Sequence, residues 1–209
     1  IDWSNPITKG LVGCWVFNEG GGDKVYDLSG YGNTGTLTNM AFPSTTSSGW
    51  NPGKDGSAIA FDGDDDFVSV TRNASFEPTK EITVVVQYKS TDTLGHPHII
   101  TKGYADGAGS YGIALDSDNN ILRFYIYDGT SVQNSPTVAE ATAMNGNWHL
   151  AIGTYDTKTL RFYFDGSEVG TGTATTQALT YNTRDLHIAS LPQGAGNTWG
   201  YGVNGTIAY

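Results

Sequence analysis

Hydrophobic and polar residues alternate along much of the chain, and residues 147–173 show this most clearly. Three alternating runs, Trp148 to Tyr155, Thr159 to Phe164 and Ser167 to Gly170, are separated by two short turns that each begin with Asp. Alternation at a period of two places successive side chains on opposite faces of an extended strand. The pattern therefore predicts an antiparallel meander of three strands.

The middle strand of this meander indicates which face is buried. Leu160, Phe162 and Phe164 would point to one side of the sheet, whereas Arg161 and Tyr163 would point to the other. A pairing slip of one residue would bury Arg161, so the sequence specifies the register well. A sheet with one apolar face needs a second layer to cover it, so we predict a sandwich.

Similar alternation predicts strands in much of the remaining chain, and with the meander they amount to roughly 12 to 14 strands. The other main predicted strands are Leu11–Asn18, Ser57–Asp62, Phe67–Arg72, Glu81–Lys89, His98–Lys102, Tyr111–Leu115, Ile121–Tyr127, an edge strand within Pro136–Ala143, and Asp185–Ser190. No window shows the i, i+3, i+4, i+7 spacing of an amphipathic helix. The predicted fold class is all-β: a two-sheet antiparallel jelly-roll sandwich with little helix.

Composition agrees with one domain spanning residues 1–209, since sandwiches of this length are commonly undivided. The 28 glycines, together with 12 Tyr, 8 Phe and 5 Trp, suit short strands joined by tight turns. The single cysteine, Cys14, lies in an apolar run, and we expect it to be a buried structural thiol.

The chain is acidic, with a formal net charge of −10 and a pI of about 4.6. This charge argues against a nucleic-acid partner, because phosphates are bound by basic surfaces. No run approaches the ~18 apolar residues that a membrane-spanning helix needs. We therefore expect neither nucleic acid nor a membrane span.

Three stretches of the chain resemble the laminin-G-like, concanavalin A-like jelly-roll domains. They are GLVGCWVFNEGGGDKVYDLSGYGNTGTL (10–37), SAIAFDGDDDFVSV (57–70) and WHLAIGTYDTKTLRFYFDGSEVG (148–170), and they occur in the family order. The opening segment also resembles phage-encoded versions of the domain. The resemblance implies the fold but does not decide the function, because this fold hosts lectins, adhesion domains, hydrolases and lyases.

The same resemblance bears on the last predicted strand. In the family this strand continues past an Asn-Gly-x-Ile motif, which here is Asn204 to Ile207, close to Tyr209. The resemblance therefore implies a strand that is cut short, or one whose remainder comes from elsewhere. A partner chain could supply that remainder by strand addition.

The resemblance also implies one structural Ca²⁺. Related domains often hold calcium at an Asp-x-Ser-Gly-x-x-Asn segment, which here gives Asp27 and Asn33 as ligands together with backbone carbonyls. A further carboxylate that the family's last strand supplies is replaced by Ala208. The glycines and short polar side chains of residues 27–35 equally suit a turn braced by hydrogen bonds, so both interpretations stay open.

Catalytic motifs are not evident in the sequence. Glucanases of this fold use a Glu-x-Asp-x-Glu strand, which places the nucleophile and the acid on one face at ~5 Å. None of the five glutamates of this chain is followed two residues later by Asp. We expect no catalytic residues of this kind, and an inverting pair of aspartates is left open.

Other polar groups have simpler interpretations. Asp62–Asp66 and Asp116–Asn120 begin like EF-hand loops but lack the glycine at the sixth position and the glutamate at the twelfth, so we interpret both as hairpin turns. His96 and His98 lie on one side of an extended segment, yet zinc needs at least three ligands. A polar loop edge is the favoured interpretation there.

Aromatic and polar residues in glycine-rich loops suit the binding of carbohydrate. Sugars pack against aromatic faces, and their hydroxyls bond to acidic, amide and backbone groups in loops over a rigid sandwich. We predict Trp199, Tyr201, Tyr104 and Asp106 as ligand-binding residues, with Trp50 as a further candidate. The alternative, that such aromatics pack back onto the core, stays open.

Three functional hypotheses follow. The first is a non-catalytic, lectin-like domain that binds a glycan or another surface ligand in an extracellular setting. The second is a structural protein, for example a decoration or adhesion protein on a phage or virus particle, acting as a homo-oligomer or attached to a virion scaffold. The third is a polysaccharide hydrolase or lyase.

Overall fold

The computed structural model describes residues 1–103, 110–127, 130–176, 178–191 and 202–208. These residues form two antiparallel sheets, two short 3-10 helices (Pro6–Thr8 and Ala74–Phe76) and one four-residue helix, α1 (Glu140–Ala143). The strands in chain order are β1 (Lys24–Val25), β2 (Gly35–Thr38), β3 (Gly49–Pro52), β4 (Ser57–Asp62), β5 (Phe67–Val70), β6 (Ile82–Ser90), β7 (His98–Lys102), β8 (Ser110–Asp116), β9 (Ile121–Tyr127), β10 (Val132–Asn134), β11 (Val138–Ala139), β12 (Trp148–Tyr155), β13 (Thr159–Phe164), β14 (Ser167–Glu168), β15 (Thr173–Ala174), β16 (Leu186–Ile188) and β17 (Asn204–Ile207).

The two sheets confirm the predicted all-β sandwich. Sheet A has the order β1-β2-β5-β16-β7-β8-β9-β10, with β11 also paired to β9. Sheet B has the order β14-β13-β12-β6-β17-β4-β3, with β15 also paired to β13. Neighbouring strands in each sheet are often distant in sequence, as expected for a jelly roll.

The predicted meander is confirmed as β12, β13 and β14. In β13 the side chains alternate between partly exposed and buried, and Leu160, Phe162 and Phe164 enter the core. Arg161 lies on the outer face, where its guanidinium donates to Asp156 at 2.7 Å. The alternation therefore sets the register as the sequence predicted.

The turn after β13 explains why this stretch contains a buried histidine and an Asp-Gly pair. Asp165 has a positive φ of 49°, and one of its oxygens accepts a bond from the Leu150 N–H at 2.9 Å. The other oxygen lies 2.8 Å from Nδ1 of His149, whose ring packs against Phe164. One carboxylate thus fixes both the turn and the buried ring.

Two predicted elements are wrong, and a third is confirmed over fewer residues than its predicted range. Leu11–Asn18 is not a strand, because its polar groups bond to the loop around Asp27 and not to a sheet. The edge strand within Pro136–Ala143 is limited to β11, and the chain then turns into α1. The stretch Asp62–Asp66 is not a hairpin turn, because β4 belongs to sheet B and β5 to sheet A.

The sheets pack very closely at Gly153 of β12. A Cβ built on this glycine would overlap the ring of Phe124 from β9 in the opposite sheet. Both residues lie in regular strands, and the ring of Phe124 is fully buried in the core. Glycine is therefore needed here for inter-sheet distance and not for backbone freedom.

Gly153→Ala tests this contact. The added methyl must push Phe124 out of its place, so we expect the free energy of unfolding to fall by about 2–3 kcal/mol, measured by urea denaturation. Gly21→Ala is the matched control, because a Cβ at Gly21 meets nothing within 4 Å and its φ is not positive. That control should change stability by less than about 0.5 kcal/mol, and equal effects of the two variants would contradict the packing argument.

Candidate functional site

A polar cleft of about 300 Å³ lies at the end of sheet A where β7 begins and β8 ends. We call it the polar cleft. Its polar lining comes from the loop before β7, from the β8–β9 turn and from the outer face of β7 and β9, and consists of His96, His98, Asp116, Asp118, Asn119, Arg123 and Tyr125.

Strand register places these side chains on the outer face of sheet A. Ile113 and Leu115 of β8 lie in the core and pair with Phe124 and Leu122 of β9. Alternate residues must then face outward. Arg123, opposite Ala114, and Asp116, two residues further along β8, therefore share the outer face.

The β8–β9 turn holds the acidic side of the cleft. Asp116 accepts bonds from the Asn119 amide nitrogen at 3.0 Å and from the Asn119 backbone N–H at 3.3 Å. Asn120 closes the turn with a φ of 54°, a conformation that Asn tolerates well. The interpretation of Asp116–Asn120 as a hairpin turn is confirmed.

The loop before β7 brings His96 to the same place. Ser117 donates its backbone N–H to Nδ1 of His96 at 3.1 Å, and the His96 N–H donates to the Ser117 hydroxyl at 3.2 Å. The ring then lies between two carboxylates, with Nε2 3.6 Å from Asp118 and Nδ1 3.9 Å from Asp116. The two loops thus form one rim of the cleft.

Arg123 gives the cleft a strong donor beside these acceptors. Its Nη1 lies 2.8 Å from Oδ2 of Asp116. Its Nε is buried and has no hydrogen-bond partner in the described part of the chain. A buried donor of this kind is costly unless something bonds to it.

Charge in the cleft is fixed by these contacts. Burial alone would raise the pKa of Asp116, but the bond from Asn119 and the charge of Arg123 outweigh it and lower the pKa below its ordinary value. Burial, with the charges of Arg123 and His96, lowers the pKa of His98 to about 3. At neutral pH Asp116 is therefore an anion and His98 a neutral ring.

None of the residues predicted to bind ligand is among those that line the polar cleft as described. Tyr104, Asp106, Trp199 and Tyr201 lie outside the described residues. Trp50 is a buried core residue whose indole N–H donates to the Gly22 carbonyl at 2.8 Å, so its predicted role in ligand binding is wrong.

The described residues that flank these positions lie at opposite ends of sheet A. Gly103 follows Lys102, and Ser110 precedes Tyr111. Lys102 pairs with Tyr111 at the end of sheet A where β7 finishes. Ala189 and Val203 are bonded to each other, and Ala189 also bonds to Ile99, near the start of β7. Ala189 and Val203, which precede and follow the residues outside the described ranges, thus lie at the end that holds the polar cleft.

Comparison with known proteins agrees with this architecture. A family profile described as the concanavalin A-like lectin/glucanases superfamily matches residues 62–208. The chain belongs to this superfamily. No curated protein sequence matches the chain.

Solved structures with this fold include both enzymes and isolated domains. Domain 4 of AbnA, a GH43 extracellular arabinanase from Geobacillus stearothermophilus solved with arabinotriose, has a TM-score of 0.61 and 16% identity, over 87% of this chain and 82% of that one. The binding domain of Paraclostridial Mosquitocidal Protein 1 has a TM-score of 0.61 and 17% identity, over 92% of this chain and 46% of that one. Trypanosoma rangeli sialidase in complex with sialic acid has a TM-score of 0.58 and 12% identity, over 93% of this chain and 29% of that one.

The chain thus spans less than half of the last two proteins, and at these identities the likeness concerns the fold alone. A concanavalin A-like fold therefore leaves both binding and catalysis open, and the side chains of the site must decide between them.

The calcium segment of the superfamily can be tested for fit in this member. The two oxygens of Asp27 accept four protein bonds, from the N–H groups of Cys14, Ser29 and Asn33 at 3.0, 2.8 and 3.0 Å and from the Ser29 hydroxyl at 2.7 Å. A carboxylate offers about four lone pairs. In this geometry Asp27 has none left for a cation, so these residues do not fit a calcium site without rearrangement.

Asn33 has a similar bracing role. Its side-chain nitrogen donates to the Val12 carbonyl at 2.8 Å and to the Ser75 hydroxyl at 3.0 Å. Its backbone carbonyl accepts from the Trp15 indole N–H at 2.8 Å. Asp27 and Asn33 therefore tie the segment around Val12–Trp15 to the rest of the fold. These contacts support the braced turn, and calcium binding stays a prediction.

Asp27→Ala separates the two interpretations. It leaves three backbone N–H groups without their acceptor, so we expect unfolding to become easier by about 3 kcal/mol in EDTA and in calcium alike, measured by urea denaturation. Asp23→Ala is the control, because the Asp23 side chain is 65% exposed in the same region. A loss of stability seen only when calcium is present would contradict the braced turn and support the metal site.

Proposed function

We propose that the protein is a non-catalytic carbohydrate-binding domain and that the polar cleft holds the glycan. The observation that carries this proposal is the buried, unpartnered Nε of Arg123 next to the ionised Asp116. The cleft thus offers a strong donor and strong acceptors within one small volume.

The charges in the cleft disfavour an anionic ligand, because two carboxylates, Asp116 and Asp118, stand against one guanidinium, Arg123. A neutral ligand with donors and acceptors meets no such repulsion. A sugar hydroxyl both donates and accepts, so it can bond to Arg123 and to a carboxylate at once. The volume of about 300 Å³ lies at the lower end of ligand pockets and suits a short stretch of glycan.

The fold is compatible with this role. Domain 4 of the Geobacillus arabinanase, with a TM-score of 0.61, was solved with arabinotriose, so a related sandwich accommodates a neutral sugar. Trp199 and Tyr201 stay predicted ligand contacts, and the described residues Ala189 and Val203 on either side of them in the chain lie at the cleft end. Tyr104 and Asp106 stay predictions too, and the residues that flank them lie at the other end of sheet A.

The cleft does not suit acid catalysis. Glycoside hydrolysis needs one carboxyl group that keeps its proton near neutral pH. Asp116 has a lowered pKa and is bonded to Arg123 and Asn119, whereas Asp118 is 86% exposed on its side chain. Asp116 is buried, but the bond from Asn119 and the charge of Arg123 hold its pKa below the ordinary value, so it is ionised near neutral pH.

The setting of the domain is also a proposal. We propose an extracellular location, where glycans are available as ligands. In the described residues no helix is long and apolar enough to cross a membrane. The decoration or adhesion hypothesis stays a prediction, and it requires a defined oligomer or a scaffold bound to the purified chain.

Arg123→Gln tests the binding site. We expect a glycan array to yield ligands for the wild-type protein and the variant to bind the best of them at least about tenfold more weakly in calorimetric titration, because a charge-assisted bond is lost. Arg161→Gln is the matched control, since Arg161 pairs with Asp156 at 2.7 Å on the other sheet. Equal affinities for the two variants would show that the polar cleft is not the binding site. A glycan array without any bound ligand would contradict carbohydrate binding.

The absence of catalysis is tested with the same ligands. Incubation with each polysaccharide that the protein binds should release no reducing ends above the buffer blank, because Asp116, held ionised by Arg123 and Asn119, does not serve as a general acid. Release of product that is lost in Asp116→Asn or Asp118→Asn would contradict the proposal. It would show instead that the aspartates work as a catalytic pair.

A further inference from the structure

Acidic side chains gather where the chain crosses from sheet B to sheet A. The connection between β4 and β5 has the sequence Gly-Asp-Asp-Asp, and it follows Asp62 at the end of β4. One carboxylate oxygen from each of Asp62, Asp65 and Asp66 lies within 4.8 Å of those of the other two. We call these three residues the β4–β5 cluster. None of them lines the polar cleft, so the cluster is a separate feature.

Backbone geometry brings these side chains together. Gly63 has a φ of 83°, and a Cβ on it would lie 2.8 Å from the side chain of Asn204, the β17 residue that pairs with Asp62. The connection therefore packs tightly against β17. The Asp62 carboxylate accepts a bond from the Asp64 N–H at 2.9 Å, and the Asp66 carboxylate accepts one from the Asp62 N–H at 3.2 Å. The chain thus curls around its own carboxylates.

Asp66 is the residue that points to a bound ligand. It is only 2% exposed, and its Oδ1 is buried without a hydrogen-bond partner in the described part of the chain. A buried carboxylate oxygen is costly unless a donor or a cation lies against it. The described residues supply neither to this atom.

The cluster also has no cationic neighbour among the residues that the structure describes. Asp116 in the polar cleft lies 2.8 Å from Arg123, and Asp156 lies 2.7 Å from Arg161. No described Lys, Arg or His side chain makes such a pair with the β4–β5 cluster. Carboxylates this close together repel one another unless a positive charge lies among them.

The pKa values of the cluster reflect this imbalance. Burial raises the pKa of Asp66 most, and the charges of Asp62 and Asp65 raise it further, while the bond from the Ser48 hydroxyl opposes the rise. Burial, followed by the charges of Asp62 and Asp64, also raises the pKa of Asp65. Both carboxyl groups therefore favour the uptake of a positive species, which is either a proton or a metal ion.

The ligand atoms of the cluster suit calcium. Ca²⁺ binds carboxylate oxygens at about 2.3–2.6 Å, so two oxygens on one ion lie at most about 5 Å apart. A carboxylate offers about four lone pairs, and backbone N–H groups use one on Asp62 and one on Asp66. In Asp27, by contrast, four protein bonds use all of them.

We propose that the β4–β5 cluster binds one Ca²⁺ through the side chains of Asp62, Asp65 and Asp66, with water completing the coordination. Asp66 supplies the buried ligand, and the partly exposed Asp65 lies on the side from which the ion enters. The ion ties the end of β4 in sheet B to the start of β5 in sheet A. Its role is to stabilise this connection between the two layers of the sandwich.

The proposed ligands differ from those of an EF-hand loop. That motif would use the first, third and fifth positions of Asp62–Asp66, whereas here the first, fourth and fifth converge. Asp64, at the third position, is exposed and lies outside the cluster. Asp64 and Asp65 therefore carry the same charge one residue apart, and only Asp65 is a proposed ligand.

Calorimetric titration of the chelator-treated protein with CaCl₂ tests the site. We expect one ion per chain with a Kd of about 0.1–1 mM, the range of extracellular calcium modules. Asp65→Asn and Asp66→Asn should each raise the Kd at least about tenfold, because each removes an anionic ligand. The matched control, Asp64→Asn, should raise it less than about threefold, since an exposed charge is screened by solvent and salt.

Three outcomes of this titration would overturn the proposal. No calcium binding up to about 10 mM would mean that a proton neutralises the cluster. Equal weakening by Asp64→Asn and Asp65→Asn would mean that calcium responds only to the general negative charge. Binding that is lost in Asp27→Asn but kept in Asp65→Asn and Asp66→Asn would place the ion at the Asp27 segment.

Thermal unfolding gives an independent readout on the same variants. Calcium at about 10 mM should raise the Tm of the wild-type protein by about 3–10 °C. In EDTA, Asp66→Asn should melt no lower than wild type, because it removes a buried charge and its amide oxygen can still accept the Asp62 N–H. In calcium the order should reverse. An equal loss of Tm in EDTA and in calcium would mean that Asp66 only braces the connection, and would overturn the proposal.

Discussion

The close approach of the two sheets at Gly153 and Phe124 is the constraint on which the rest of this structure depends. Each sheet has one apolar face, and each is stable only while the other covers it. Because apolar and polar residues alternate along β8, β9, β12 and β13, every second side chain of these strands packs in the core between the sheets. The remaining side chains are then directed outward, and on sheet A they include the groups that form the polar cleft.

Hydrogen bonds replace sheet pairing where the chain cannot join a ladder. The segment around Val12–Trp15 runs along the molecule without strand partners, and Asp27 and Asn33 satisfy its polar groups instead. A buried charge has a similar role. Lys102 is fully buried, its Nζ lies 3.3 Å from a Glu77 carboxylate oxygen, and it donates to the Arg184 carbonyl at 2.8 Å. Such groups hold connecting segments in place because their desolvation is offset only in one arrangement.

The sequence predicted what depends on local alternation and missed what depends on distant loops. The meander and the strands from His98 to Tyr127 followed from period-two patterns, and the family stretches agreed with them. The hairpin over Asp116–Asn120 could have placed Asp116 and Arg123 on one face, because its register determines which face of the sheet each side chain points to. The position of His96 could not be derived, since a bond between two separate loops brings it to the cleft. Leu11–Asn18 was misassigned for a related reason: an alternating pattern shows that a segment can pair but not that a partner lies beside it.

The central claim, that a neutral glycan bonds to Arg123 and Asp116 in the polar cleft, is tested most directly by NMR. The Nε–Hε resonance of Arg123 reports on the one buried donor without a partner in the cleft as described. Titration with a glycan selected on an array should shift this resonance and slow its exchange with water, while the Nε–Hε resonance of Arg161 stays unchanged. Saturable binding with no change at Arg123 would contradict the account and would place the ligand on another surface of the sandwich.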